Sequence, residues 1–312
     1  MTAVRTKSLH KRYGQVRALD GLDLAVETGS VYGFLGPNGA GKTTAIRILT
    51  GLAKPTSGEA WVTDVGVGQS TSETARSIGY LPQDPAFYPW MTGRGFLDYV
   101  GRVFGLSTVE RDTRTKELLA TVGLTEAAER KVGGYSGGMR QRLGLAQALV
   151  NRPSVLLLDE PVSALDPAGR KEVLDLIEGL RGQCTVLMST HILDDVERVC
   201  DTVGIISGGR MVTQEKREDL LSRYAEPVFE VEAVGATNEH LLRWAKALDK
   251  VTWIESTSVH GQRARIVVGD VHTAHRELLS SAVQAGLVLA RYEMVRPSLE
   301  DVFLRLVGAG HR

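Results

Sequence analysis

A chain of 312 residues has room for about two domains. Its 43% hydrophobic and 24% charged residues suit a soluble globular protein, and 37 Lys+Arg balance 37 Asp+Glu. That balance argues against a nucleic-acid partner, which calls for a basic excess; no apolar run of about 18 residues marks a membrane span, and Met1–Arg12 lacks a signal-peptide core.

In chain order, Leu22–Val26 alternates like a strand and Val31–Leu35 reads as another. The second runs into a glycine-rich loop and a helix over Thr43–Leu49. The basic cluster Lys7–Arg12 reads as a solvated face. Residues 85–150 read as mainly helical, with Glu110–Val122 one helix and Met139, Leu143, Ala146 and Leu149 the apolar face of another. Val155–Leu158 is a continuous apolar run, as in a buried parallel strand. A helix follows, with Asp166 as N-cap and Pro167 in first position. Thr185–Met188 and Val203–Ile206 read as buried strands around a helix over Ile192–Val199, and Glu215–Tyr224 as a closing helix. Cys184 and Cys200 lie in apolar segments, as buried reduced thiols do. Strands alternating with helices predict an α/β core with a largely parallel sheet.

The pattern changes near Ala225-Glu226-Pro227, which predicts domains over 1–225 and 226–312. The second part reads as strand Val228–Val234, helix Asn238–Leu248, strands Val251–Ser256 and Arg263–Val268, helix His272–Ala285 and strand Leu287–Val295, closed by a helix over Ser298–Leu306. The order β-α-β-β-α-β predicts a ferredoxin-like α+β domain.

Gly36-Pro37-Asn38-Gly39-Ala40-Gly41-Lys42-Thr43 matches the phosphate-loop pattern, with Thr44 next on the helix. Triphosphate oxygens need several converging donors; glycines let backbone N–H groups curl inward, and the helix adds its unpaired first-turn amides. Lys42 supplies a positive charge for the β/γ-phosphates and Thr43 a hydroxyl for Mg²⁺. Leu156-Leu157-Leu158-Asp159-Glu160 puts two carboxylates at the carboxyl end of a strand, the edge where open α/β sheets bind ligands. Asp159 is suited to Mg²⁺, and Glu160 to orienting or deprotonating an attacking water.

These motifs resemble the ATP-binding cassette (ABC) family over about residues 1–220. Tyr135-Ser136-Gly137-Gly138-Met139 resembles the family's Leu-Ser-Gly-Gly-Gln signature, with Tyr135 and Met139 departing from it. Asp159 follows Ser136 by 23 positions, one helix later, as in the family. The resemblance implies that Ser136, Gly137 and Gly138 face the γ-phosphate held by a second copy, so that two cassettes sandwich two ATP molecules head to tail. It implies an adenine-stacking role for Tyr13, which packing would equally explain, and a Q-loop role for Gln83, sensing Mg²⁺ and water and linking to a permease. It implies that Ser163-Ala164-Leu165-Asp166 is the D-loop at the dimer seam, alongside the capping role of Asp166, and that His191 is the switch histidine.

Glu226-Pro227 and Arg296–Phe303 resemble ATPase subunits of drug, antibiotic, lipid and polysaccharide exporters. The implied protein hydrolyses ATP with Mg²⁺ on the cytoplasmic face of the cell membrane and drives export through a separate permease. Asp84–Thr92, with Phe87, Tyr88 and Trp90, would receive a permease helix, or form a local core. The last part is implied to regulate or stabilise a dimer, or to be a structural appendix. A non-transport ABC ATPase is the other reading. Chromosome and repair types carry long heptad arms, whereas Tyr135 here follows Gly36 by 99 positions with no sustained heptads. An ATP sensor without turnover is disfavoured by Glu160 and His191.

Overall fold

The computed structural model describes residues 1–69, 71–163, 165–224, 227–234, 238–295 and 298–308. Ala164, the expected junction at 225–226 and Arg296-Pro297 lie outside the described residues. The chain divides into two compact units, Met1–Arg217 and Glu218–Arg312. The division comes earlier than the change of pattern suggests, because periodicity marks where the next strand starts and the division marks which residues pack together.

The first unit opens with a hairpin of β1 (Thr2–Tyr13) and β2 (Val16–Glu27). Next come β3 (Val31–Leu35), α1 (Lys42–Leu49), β4 (Ser57–Val62), β5 (Val65–Gly66), α2 (Thr71–Ser77) and β6 (Ile78–Leu81). Helices α3 (Gly93–Val103), α4 (Thr108–Thr121) and α5 (Gly137–Leu149) pack on one another. The unit continues through β7 (Val155–Asp159), α6 (Pro167–Gly179), β8 (Thr185–Thr190), α7 (Leu193–Val199), β9 (Thr202–Ser207) and β10 (Arg210–Lys216).

Strands β9, β3, β8, β7 and β6 lie side by side and parallel, with β10 antiparallel at one edge. β3, β7 and β8 are buried along their whole length, which explains their unbroken apolar sequence. Being parallel, they deliver Leu35, Asp159 and Thr190 to one edge of the sheet. β2, β1, β4 and β5 form a separate antiparallel sheet.

The structure adds strands that the sequence pattern does not announce. Lys7–Arg12 belongs to β1, whose register shifts against β2 at several points, so strict alternation is lost. The helix expected from Glu215 starts at Arg217, because Glu215 and Lys216 complete β10 against β9. Cys184 and Cys200 are buried and unpaired, and burial pushes their thiols up to about 11 and about 12.

From α8 (Arg217–Arg223) the chain passes to the second unit. Its elements are β11 (Val228–Ala233), α9 (Asn238–Leu248), β12 (Ile254–His260), β13 (Arg263–Val268), α10 (Val271–Gln284), β14 (Leu289–Val295) and α11 (Leu299–Gly308). The sheet order β12-β13-β11-β14, antiparallel at every step, is the ferredoxin-like order expected. Phe229, Val231, Trp244, Ile266 and Leu278 share its core. Ser298 and Asp301 cap α11 reciprocally, Asp301 accepting from Ser298 N and Ser298 Oγ accepting from Asp301 N. The Arg265 guanidinium forks onto the same carboxylate at 2.9 and 2.8 Å.

That fork, with the Ser298 bonds, holds the Asp301 carboxyl down at about 2. A lowered folded value contributes stability above the ordinary carboxylate pKa near 4 and loses it as pH falls through the folded value. Asp301→Asn should therefore lower stability near neutral pH, and the gap to wild type should close as pH falls from about 4 to about 2. Urea unfolding across pH measures this; a gap independent of pH would contradict it.

Candidate nucleotide site

The loop between β3 and α1 is shaped by glycines. Gly41 has φ of 113°, and a Cβ there would lie 2.5 Å from Ala18 O. A Cβ at Gly36 would lie 2.4 Å from Ile206 O. Only glycine fits either position without displacing backbone. α1 starts without a side-chain cap, so its first-turn amides remain open to an anion.

Lys42 is buried and curls back over the loop, its Nζ donating to Gly36 O at 2.7 Å and Pro37 O at 3.3 Å. It also pairs with Glu160 Oε1 at 3.4 Å. The other oxygen of Glu160 meets His191 Nδ1 at 2.9 Å. Asp159 Oδ1 accepts from Thr43 Oγ1 at 3.0 Å and from Ser189 Oγ at 2.7 Å. The phosphate loop, the acidic strand end and the end of β8 thus join in one hydrogen-bonded cluster.

A cleft of about 390 Å³ opens beside the cluster. Asn38, Gly39, Ala40, Gly41, Lys42, Thr43, Thr44, Gln83, Glu160 and His191 line it, all expected from sequence. Val16, Arg17 and Ala18 complete the lining. Gly36, Pro37 and Asp159 stand behind it, tied in by the Lys42 and Thr43 bonds. Tyr13 is not in the lining; it pairs with Val16, and Lys11 Nζ lies 4.7 Å from its ring centroid.

Ser136, Gly137 and Gly138 do not line the cleft either. Ser136 caps α5, accepting from Met139 N at 3.2 Å, and Ser136 and Gly137 are exposed. Tyr135 is buried, its hydroxyl donating to Ala127 O at 2.7 Å, and Gly93 leaves room for it. Met139 Sδ lies 3.3 Å from Arg130 Nη2. Both departures from the common signature are thus packed away from the exposed Ser-Gly pair. Asp166 caps α6 through Gly169 N at 3.0 Å, as expected.

Comparison with known proteins agrees with this geometry. The ABC transporter family model matches residues 19–163, and the model "ATP-binding protein DrrA1-3-like, C-terminal domain" matches residues 216–307. An uncharacterized ABC transporter ATP-binding protein of Bacillus subtilis, YxlF, is 43% identical over 97% of this chain and 99% of its own. The chain belongs to the ABC transporter ATP-binding proteins. The daunorubicin resistance ATP-binding protein DrrA2 of Streptomyces coeruleorubidus is 39% identical over 98% of this chain and 95% of its own. The bacitracin transport ATP-binding protein BcrA of Bacillus licheniformis is 36% identical over 99% and 98%. Among solved structures, an ABC cassette dimer in a post-hydrolysis state with ADP and Pi gives a TM-score of 0.62 at 28% identity, covering 68% of this chain and 98% of its own. The fold is therefore that of an ABC cassette, an ATPase, followed by an α+β unit.

Within this ABC chain, Ser189, two residues before His191, is a site residue that no sequence motif singles out. The structure puts its fully buried hydroxyl between the Asp159 carboxylate and the Glu160 backbone: Ser189 Oγ donates to Asp159 Oδ1 and accepts from Glu160 N at 3.0 Å, and Ser189 O accepts from the same amide at 3.1 Å. Glu160 needs that hold, because its φ of 50° lies in the left-handed region, costly for a non-glycine residue. The available signal was a pair of polar residues, Ser189 and Thr190, closing a buried strand just before His191.

Ser189→Ala removes a hydrogen bond to a charged group, of order 1.5–3 kcal/mol. ATP turnover is expected to fall about tenfold or more with nucleotide binding retained, as read by phosphate release and nucleotide titration. Unchanged turnover would remove Ser189 from the site.

Proposed function

We propose that this chain hydrolyses MgATP to drive export of a drug-, antibiotic- or lipid-like compound through a separate permease. The observation that carries the catalytic part is Glu160 held between Lys42 and His191 at the mouth of the phosphate loop. The names of the daunorubicin and bacitracin relatives support export.

The hard oxygen donors of Thr43 and Asp159, 3.0 Å apart, with the Gln83 amide in the cleft lining, suit Mg²⁺. Thr43, Asp159 and Gln83 would hold the cation, which would supply positive charge against the triphosphate. Lys42 exchanges the Gly36 and Pro37 carbonyls and Glu160 for phosphate oxygens. Glu160, released from Lys42, then orients the attacking water and takes its proton. His191 holds Glu160 and reaches the γ-phosphate. Tyr13, beside the Val16–Ala18 wall, stacks on the adenine base. ATP remains the nucleotide, though stacking alone would accept GTP.

The turn Ser136-Gly137-Gly138 at the start of α5, exposed at Ser136 and Gly137, serves the cleft of a second copy, arranged head to tail, with Asp166 at the seam. The solved cassette dimer supports this pairing. Tyr88 and Trp90, ring centroids 5.1 Å apart, are exposed just beyond Gln83, Trp90 at 67%. Phe87 instead packs edge-on against Phe96, so the loop is part core and part surface. The exposed part receives the permease. No described helix is long and apolar enough to cross a membrane, and the permease holds the chain on the inner face of the cell membrane.

Two substitutions separate binding from chemistry. Glu160→Gln should keep ATP binding and lower turnover about 10²-fold or more, the scale of a positioned general base. Lys42→Ala should weaken nucleotide binding itself. Both are read by nucleotide titration and phosphate release. Unchanged turnover in the first, or full binding in the second, would refute the assigned role.

A further inference from the structure

Strand β14 ends the sheet of the second unit, hydrogen-bonded to β11 on one side. An open edge presents a row of unpaired backbone groups, and proteins usually blunt such edges with lysines or proline. β14, with the sequence Leu-Ala-Arg-Tyr-Glu-Met-Val, has neither.

The flank of that edge is apolar. α9 lies against β12 and β13, and Trp244 of α9 donates to Ser281 of α10 at 2.9 Å. Ser281 marks the flank of α10 facing α9. Leu279 and Val283 lie on the flank of α10 away from Ser281, exposed at 41% and 62%. Met294, in register with the core residue Phe229, projects to the helix side and is 47% exposed.

The opposite face of the strand is charged in an incomplete pattern. Arg291 stands opposite Glu232, which pairs with Arg263 at 3.1 Å, so this row alternates in sign. In the other row Glu293 stands directly opposite Glu230. Like charges at opposed positions oppose the fold. The nearest guanidinium to Glu230 in that row, Arg265, pairs with it at 3.7 Å and is shared with Asp301, onto which it forks. Glu293 finds Arg291, two residues along its own strand. The row lacks a cation beyond the β14 edge.

A second copy of this chain supplies one. We propose that β14 is the seam of a two-fold dimer in which the edge strands of two copies pair antiparallel about Tyr292. This register puts Arg291 of each copy opposite Glu293 of the other, twice. A two-fold centred on Arg291 or Glu293 would oppose like charges, so charge selects the register. The apolar flanks then meet on the helix side, as an isologous interface requires. The seam adds to the pairing of copies proposed above, but it forms without nucleotide.

The test uses the full-length chain, nucleotide-free, by sedimentation equilibrium. The wild-type chain should dimerise. Arg291→Glu and Glu293→Arg each oppose like charges across the seam and should each raise the dimer dissociation constant about tenfold or more. The double swap R291E/E293R should restore it. Mixing the two single variants should also restore dimers, because each then faces opposite charges. A monomeric wild-type chain, or dimers indifferent to both reversals, would overturn the proposal. The reading of the nucleotide site is tested separately in the same variants: with Glu160→Gln and MgATP they should still pair through the cassettes. Failure there alone would count against the ATP sandwich and leave the β14 seam standing.

Discussion

The first unit is organised around two buried, opposite charges. The Lys42 and Glu160 side chains are 6% and 8% exposed and lie 3.4 Å apart at the carboxyl edge of the parallel sheet. Either charge buried alone would cost several kcal/mol. The arrangement is tolerated because each has further polar partners: the Gly36 and Pro37 carbonyls for Lys42, His191 for Glu160. In the mechanism proposed for the site, the cation leaves for phosphate and the carboxylate turns to water. The strand order follows from this requirement. β8 lies between β3 and β7, so the residues at its end reach both the phosphate loop and the acidic strand end.

How much of this was legible in the sequence depends on how local each signal is. The phosphate loop and the acidic pair are contiguous, and the structure places them in one cluster as expected. The buried strands β3, β7 and β8 announce themselves because both faces are covered. β1, β4, β5 and β6 do not. β1 carries its bulges and surface charges in a pattern with no clean period, and β5 is two residues long. Ser189 could not be assigned, because its partners lie about 30 residues away on a neighbouring strand. The charge rows of the second unit were hidden likewise, since Glu232 and Arg263 become neighbours only through strand pairing.

The cleft is half of a site. It holds donors for phosphate and a carboxylate for water, while the exposed Ser136-Gly137 turn points to no partner in its own cleft lining. The solved cassette dimer to which the chain is similar supports the proposal that it acts in pairs. The exposed aromatic pair Tyr88 and Trp90, a few residues after the cleft-lining Gln83, is the surface proposed for the permease.

We propose that this ATPase is the motor of a membrane permease carried on another chain. Affinity purification of the chain from gently solubilised host membranes, followed by mass spectrometry, tests it most directly. The account predicts a polytopic membrane protein in near-equal amount. Recovery from the soluble fraction alone, with ribosomes, DNA or no partner, would contradict it and favour a non-transport ABC ATPase.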